Sequence, residues 1–176
     1  MTGWTRTTTE VLHRGPFITL NRDSVIRPDG SPGTYEHITV DDAVRVVAID
    51  GRGQVALVED DFYLQNKRVL HLPGGGIGGQ EPGEAARREL EEETGLVAGE
   101  LRLLAAIDPL PGATAAKTHL FLATDLRAGV VHRDDTEIGM TVGWAKLGDA
   151  VDAVRGGRIT EAGSVAGLLL AATLQL

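Results

Sequence analysis

The chain of 176 residues has the length of one ordinary domain, and its 42% of apolar residues are enough for a hydrophobic core. A net charge of −8 argues against a nucleic-acid backbone or an anionic membrane as partner, but not against a small phosphorylated ligand, because bound metal reverses the local field. Disulfides, zinc thiolate sites and cysteine nucleophiles are excluded, since there is no cysteine.

The N-terminus, MTGWTRTTTEVLHRG, lacks the apolar core of a signal peptide. The longest apolar run, Val165–Leu174, is too short to span a bilayer and is interrupted by Gly167 and Thr173. We therefore expect a cytoplasmic protein with no membrane partner.

Two alternating segments, Phe17–Val25 and Tyr35–Val40, predict a β-hairpin around the turn-forming sequence of Pro28–Gly33. Ala43–Ile49 is β-branched and apolar, which predicts a buried strand, and a tight DGRG turn leads from it to a further strand, Gln54–Glu59. The next segments are predicted to form, in order, a loop, a short strand and a glycine-rich turn: Asp60–Lys67, Arg68–Leu72 and Pro73–Gly79.

A helix is predicted over Pro82–Thr94, because proline suits its first turn and Gly95 suits its C-terminal stop. Three further strands are predicted at Leu101–Ile107, Thr118–Leu126 and Met140–Lys146. Two further helices are predicted at Leu147–Val154 and Glu161–Leu174. This order predicts a mixed α/β domain with strands in the middle and helices on either side.

The predicted helix carries an unusual cluster of acids, with Glu89, Glu92 and Glu93 at positions i, i+3 and i+4 on one face. Glutamates near a helix C-terminus oppose the helix dipole, so the pattern does not favour local helix stability. Hard cations such as Mg²⁺ and Mn²⁺ prefer carboxylate oxygens, and several glutamates on one face can hold them. A solvated surface helix is the competing interpretation.

The glycine run before the helix favours the metal site over the solvated surface. Gly74, Gly75 and Gly76 let the backbone approach a ligand closely and offer carbonyl oxygens to a cation. The sequence from Gly74 to Leu96, GGGIGGQEPGEAARRELEEETGL, resembles the Nudix box. The second half of that pattern is matched at every fixed position, by Arg88, Glu89, Leu90, Glu92, Glu93, Gly95 and Leu96.

One position departs from the box. Counting back from Arg88 puts Gln80 where the pattern has its first glutamate; in the alternative alignment Gly75 and Glu81 fill the first two positions, with one residue missing before Arg88. We prefer Gln80 in place of the glutamate, which in this family is less central to metal binding, so we expect activity to survive.

Outside the box, the chain is similar to the ADP-ribose pyrophosphatase branch over most of Phe17–Ala172. The resemblance implies an α/β/α sandwich with a mixed β-sheet and an N-terminal β-hairpin extension. It also implies an N-terminal region of residues 1–41 in a homodimer interface and a catalytic domain of residues 42–176. Asp60–Phe62 replace a Gln-Tyr-Arg-like element of the branch, and Ala113–Lys117 lack its acidic residue.

The implied reaction is water attack on a nucleoside diphosphate linked to another moiety, assisted by Mg²⁺ or Mn²⁺. The implied metal ligands are Glu89, Glu93, Glu92 and a carbonyl such as that of Gly74. Arg88 is expected to hold Glu92 in its rotamer. Glu137 is a candidate general base, with a solvated loop acid as the alternative. The expected substrate-binding residues are Arg27, Arg68, Gly75 and Gly76.

Three functions therefore remain at this stage. The leading hypothesis is a diphosphatase acting on ADP-ribose or a related nucleotide sugar. A rival enzyme would be a housecleaning hydrolase of nucleoside triphosphates or dinucleoside polyphosphates. The third is a non-catalytic nucleotide-sugar sensor, against which the intact Glu89, Glu92 and Glu93 argue. No DNA-binding partner is expected, since no basic patch occurs.

Overall fold

The structure is a computed structural model that describes residues 3–129 and 139–174. The chain divides into two compact units. One unit contains the chain up to Asp41 together with Leu110–Ala116, and the other contains Asp42–Pro109 and the chain from Lys117 onward.

The N-terminal unit is a three-stranded antiparallel sheet, with strands in the order β1-β2-β3. Its strands are β1 (Thr5–Arg14), β2 (Thr19–Ile26) and β3 (Pro32–Thr39). The predicted hairpin corresponds to β2 and β3, whereas β1 was missed. The sequence of β1, TRTTTEVLHR, is threonine-rich and almost wholly exposed, so it lacks the apolar alternation that marks a half-buried strand.

The second unit holds two three-stranded sheets and all three described helices. Its strands are β4 (Ala43–Ala48), β5 (Gln54–Phe62), β6 (Lys67–His71), β7 (Leu96–Ile107), β8 (Thr118–Ala128) and β9 (Thr141–Lys146). Its helices are α1 (Pro82–Thr94), α2 (Leu147–Arg155) and α3 (Ala162–Ala171). The order β4-β8-β7 forms a mixed sheet, because β4 pairs parallel to β8 and β7 pairs antiparallel to it; the other sheet has the order β6-β5-β9.

Strand β4 separates two hydrophobic clusters, because its side chains alternate between the faces of the sheet. Val44 and Val46 pack in one cluster with Leu90 of α1. Val47 packs in the other cluster with Leu168 of α3. Helices thus cover both faces of the strands, and the predicted mixed α/β class and sandwich are confirmed.

Helix α1 has the predicted bounds, whereas β5 and β7 are longer than predicted, β3 begins earlier and α3 ends earlier, at Ala171. Gly95 adopts a left-handed conformation (φ 70°) and donates its N–H to the Glu91 carbonyl, so the chain turns directly into β7 at Leu96. Strand β5 continues to Phe62, where a loop was predicted to begin at Asp60. Pairing with β6 overrides the low strand propensity of the two aspartates.

Within the described residues, no helix has both the length and the hydropathy that crossing a membrane requires.

Candidate active site

Helix α1 places two of the predicted glutamates in the protein interior. Ala85, Ala86 and Leu90 are fully buried and hold the helix against the sheet. Glu89 and Glu93 lie four residues apart and are only 7% and 3% exposed. Carboxylates are rarely buried unless they are paired or bind a cation, so this placement indicates a functional role.

The glycine run contacts both buried carboxylates through its backbone. Gly74 donates its N–H to Glu93 Oε2 at 2.9 Å. A methyl group at Gly75 would lie 2.7 Å from Glu89 Oε1, so the absence of a side chain lets that carboxylate lie against the main chain. The Gly75 carbonyl accepts the N–H of Val44 at 2.9 Å, which ties the glycine run to β4.

Arg88 connects the glutamates to the preceding loop. Its Nη2 lies 2.8 Å from Glu89 Oε1, and its Nη1 donates to Glu92 Oε2 at 2.7 Å. Nη2 also donates to the Gly76 carbonyl at 3.0 Å, and Nε donates to Gln80 Oε1 at 2.8 Å. Burial opposes the charge of Arg88, but Glu89 and Glu92 outweigh burial and raise the pKa of Arg88.

The donor chemistry of this region fits a hard divalent cation. Two buried carboxylates, Glu89 and Glu93, face a main-chain loop that has no side chains, and carboxylate and carbonyl oxygens are the preferred ligands of such ions. Glu92, the third predicted carboxylate ligand, is less buried than the other two. It pairs with Arg88, and 35% of its side chain is exposed. Within the described parts of the chain, no three acidic or histidine side chains converge as a metal-binding group.

The other predicted site residues have different surroundings. Arg27 lies in the β2–β3 turn, where its Nη1 donates to the Pro32 carbonyl at 2.6 Å. Arg68 on β6 donates to the Glu59 carbonyl at 2.8 Å, and its Nε lies 3.2 Å from the Glu59 carboxylate. Both guanidinium groups therefore bind their own local structure. The candidate general base, Glu137, lies outside the described residues.

A second charged pair, Arg45 and Glu161, was not predicted from the sequence. Arg45, in the middle of β4, donates from Nε to Glu161 Oε2 at 3.1 Å. Glu161 is the N-cap residue of α3 and accepts from the N–H groups of Gly163 and Ser164 at 2.9 and 2.7 Å. An arginine inside an otherwise apolar strand was the available signal, because a buried charge needs a partner.

The Glu161 contacts give a pH-dependent contribution to stability. Burial alone would raise the pKa of Glu161, but Arg45 and the donors of Gly163 and Ser164 outweigh it and lower that pKa from 4.5 to about 2. A lowered carboxyl pKa stabilises the fold above the unfolded-state value, and this contribution, about 3 kcal/mol, is lost as pH falls from 4.5 to about 2.

We therefore expect Glu161→Gln to remove part of the acid sensitivity of the fold. Urea unfolding at pH 5, 4 and 3 measures the free energy of unfolding of both proteins, and the difference between them should shrink as pH falls. A difference that stays constant over this range would show that Glu161 has an ordinary pKa.

The same fold occurs in a solved structure. A crystal structure of an ADP compounds hydrolase matches it with a TM-score of 0.86 at 24% identity, covering 97% of this chain and 92% of that one. At this level of identity the match shows the fold alone.

Two characterised relatives are more informative about the sequence. An ADP-ribose pyrophosphatase of Mycobacterium tuberculosis (strain ATCC 25618 / H37Rv) is 34% identical over 163 residues, which are 91% of this chain and 79% of the relative. A CMP-5'-(N-acetyl-N-hydroxy-3-aminopropyl)phosphonate hydrolase of Streptomyces rubellomurinus (strain ATCC 31215) is 28% identical over 162 residues, or 90% of this chain and 77% of the relative.

The family models agree with these relatives. The NUDIX domain matches residues 39–162, and the nucleoside diphosphate sugar hydrolase N-terminal domain matches residues 4–38. The chain belongs to the Nudix family, which confirms the resemblance of its glycine run and α1. It is a hydrolase that acts on pyrophosphate bonds.

Proposed function

We propose that this enzyme hydrolyses ADP-ribose, or a related nucleotide sugar, with Mg²⁺ or Mn²⁺ as cofactor. The observation that carries the proposal is the pair of buried carboxylates, Glu89 and Glu93, held against the glycine run. Hydrolysis of ADP-ribose adds one water across the P–O–P bond and releases AMP and ribose 5-phosphate.

Each residue near the carboxylates has a distinct proposed role. Glu89 and Glu93 would hold the cation. The Gly74 carbonyl, which accepts a hydrogen bond from Arg45, would be a further ligand through its second lone pair. When bound, a divalent cation neutralises charge on the diphosphate and lowers the pKa of an attacking water. Arg88 positions Glu89 and Glu92 through its short contacts to both, and Glu92 orients the water. Glu137 is proposed as the general base.

The substrate-binding residues are a further part of the proposal. The main-chain groups of Gly75 and Gly76 would lie against the diphosphate, since no side chain blocks them. Arg27 and Arg68 would contact a phosphate or ribose, because a guanidinium suits bidentate contact with phosphate. Both would have to exchange the local hydrogen bonds described above for contacts with the substrate.

The choice of ADP-ribose rests on the relatives. The M. tuberculosis relative is an ADP-ribose pyrophosphatase, and the matched N-terminal domain is that of nucleoside diphosphate sugar hydrolases. The CMP-phosphonate hydrolase at 28% identity supports a broader test, in which both the base and the attached group vary.

A product assay on a substrate panel tests the proposal. The panel contains ADP-ribose, other nucleotide sugars, a CMP-linked phosphonate, dinucleoside polyphosphates and nucleoside triphosphates, each with Mg²⁺ or Mn²⁺. We expect ADP-ribose or a nucleotide sugar to give the highest kcat/KM. Preferred cleavage of triphosphates or dinucleoside polyphosphates would instead establish a housecleaning hydrolase, and binding without cleavage would establish a sensor.

Gln80 offers a specific test of how Arg88 is held. Its amide oxygen accepts the Arg88 Nε–H at 2.8 Å, which a carboxylate could do equally well. Gln80→Leu should therefore lower kcat/KM roughly 10-fold, the smaller of the effects usual for residues that orient metal ligands, while Gln80→Glu should retain it. Steady-state kinetics on the preferred substrate measure both variants; wild-type activity in Gln80→Leu would contradict this role.

We also propose that the enzyme is a homodimer formed through the N-terminal unit. That unit exposes several large apolar side chains, whose burial against a second copy would be favourable. They are Trp4, Val11, Phe17, Ile18, Ile26 and Tyr35. Light scattering coupled to gel filtration should give twice the 18.6 kDa chain mass, and Phe17→Glu should shift the protein towards the monomer. A monomeric wild type would overturn this proposal.

A further inference from the structure

Arg45 joins three separate elements through one guanidinium group. Its side chain is 14% exposed, and in the sequence it stands between the fully buried Val44 and Val46. Nε donates to Glu161 of α3, whereas Nη1 donates to the Val44 carbonyl at 3.0 Å and to the Gly74 carbonyl. A guanidinium that served only to pair with Glu161 could direct two nitrogens at that carboxylate. In Arg45 only Nε donates to Glu161, whereas Nη1 donates to the glycine run.

Gly74 is consequently held at both of its backbone groups. Its carbonyl accepts from Arg45, and its N–H donates to Glu93 Oε2 at 2.9 Å. The φ of Gly74 is 140°, and the Val44 carbonyl oxygen lies 2.2 Å from where a Cβ would be. The backbone of Gly74 therefore has little room to move. The two groups lie in the two peptide planes that meet at Gly74, so the bonds to Arg45 and Glu93 together fix the planes on both sides of this residue.

Glu161 is fixed in turn by the first turn of α3. Besides the two N–H groups, it accepts the Ser164 hydroxyl at 2.7 Å, and that hydroxyl accepts the N–H of Leu72 at 2.8 Å. The N-terminal end of α3 is therefore linked to the glycine run through Arg45 and Gly74, and to Leu72, two residues before that run, through Ser164. Gly163 permits this approach, since a methyl group there would lie 2.8 Å from Arg45 Cγ.

From these contacts we infer that Arg45 and Glu161 are positioning residues for the Glu93 carboxylate, acting through the Gly74 backbone. The inference rests on the proposed function, in which Glu93 holds the cation. Neither residue touches the substrate; the pair sets the direction in which the carboxylate points, as residues that orient metal ligands do.

The test compares Arg45→Lys with wild type. Lysine keeps a positive charge for Glu161 but lacks the planar fork that reaches the Gly74 carbonyl at the same time. Two measurements are made without substrate: the dissociation constant for Mn²⁺, by electron paramagnetic resonance, and the amide hydrogen exchange of Gly74 in metal-free protein, by NMR. Ile159→Val, a buried change in the α3 cluster, is the control for general destabilisation.

We expect Arg45→Lys to weaken Mn²⁺ binding by about 10- to 100-fold and to speed Gly74 exchange, with kcat lowered and KM little changed. Glu161→Gln keeps a capping oxygen and should show smaller changes in the same direction. If Arg45→Lys does not fold, Glu161→Gln provides the test. The control should change neither measurement.

Wild-type Mn²⁺ affinity and Gly74 exchange in both variants would overturn the inference. A wild type that binds no Mn²⁺ would instead contradict the proposed metal site, and Gly74 exchange alone would then decide whether the pair positions the loop. Failure of the positioning inference and failure of the proposed metal site therefore give different results.

Discussion

Glu93→Gln is expected to lower kcat by about 1,000-fold, because it removes one charge from the proposed cation site. Charge stabilisation by a bound metal is worth several kcal/mol, and about 4 kcal/mol corresponds to that factor in rate. The glutamine can still accept the Gly74 N–H through its amide oxygen, so the fold should be kept. Steady-state kinetics and a thermal melt of the same sample measure the two effects separately.

The matched control for this variant is Glu84→Gln. It makes the same change on the same helix, but at an exposed position in the first turn. We expect it to retain wild-type kcat. A Glu93→Gln enzyme with near wild-type kcat would show that this carboxylate has a structural role only, and the proposed cation ligands would be wrong.

Gly74→Ala should strongly destabilise the second unit. Gly74 has a φ of 140°, which residues with a side chain rarely adopt, and the new Cβ would lie 2.2 Å from the Val44 carbonyl oxygen. That oxygen belongs to the backbone of a buried strand and cannot move aside. Unfavourable φ and overpacking each cost about 1–3 kcal/mol, so the free energy of unfolding should fall by roughly 2–6 kcal/mol.

Gly76→Ala is the matched control, because it introduces the same methyl group two residues away. No atom lies within 4 Å of its new Cβ, and its φ is not in the positive range. Urea unfolding of both variants should show a large loss for Gly74→Ala and little change for Gly76→Ala. Equal stability of the two variants would contradict the close approach of Gly74 to β4.

The elements around α1 could be predicted because their signals are local. Pro82 and Gly95 mark the ends of the helix, and Ala86 and Leu90 mark its buried side, all within one short segment. Strand β1 carries no such signal, since its threonines face solvent and only pairing with β2 makes it a strand.

The arrangement inside the site depends on contacts that sequence spacing does not contain. Helical spacing correctly places Glu89, Glu92 and Glu93 near one face, but it does not give their depth, which the sheet and Arg88 decide. The bond between Arg45 and Glu161 joins residues 116 positions apart, so only the packing of α3 on β4 reveals it.

Metal-dependent release of AMP from ADP-ribose is the most direct test of the account. Protein stripped with EDTA should release no AMP from ADP-ribose, and Mg²⁺ or Mn²⁺ should restore equal amounts of AMP and ribose 5-phosphate. Folded protein that leaves ADP-ribose intact at every concentration of either metal would contradict the proposed function.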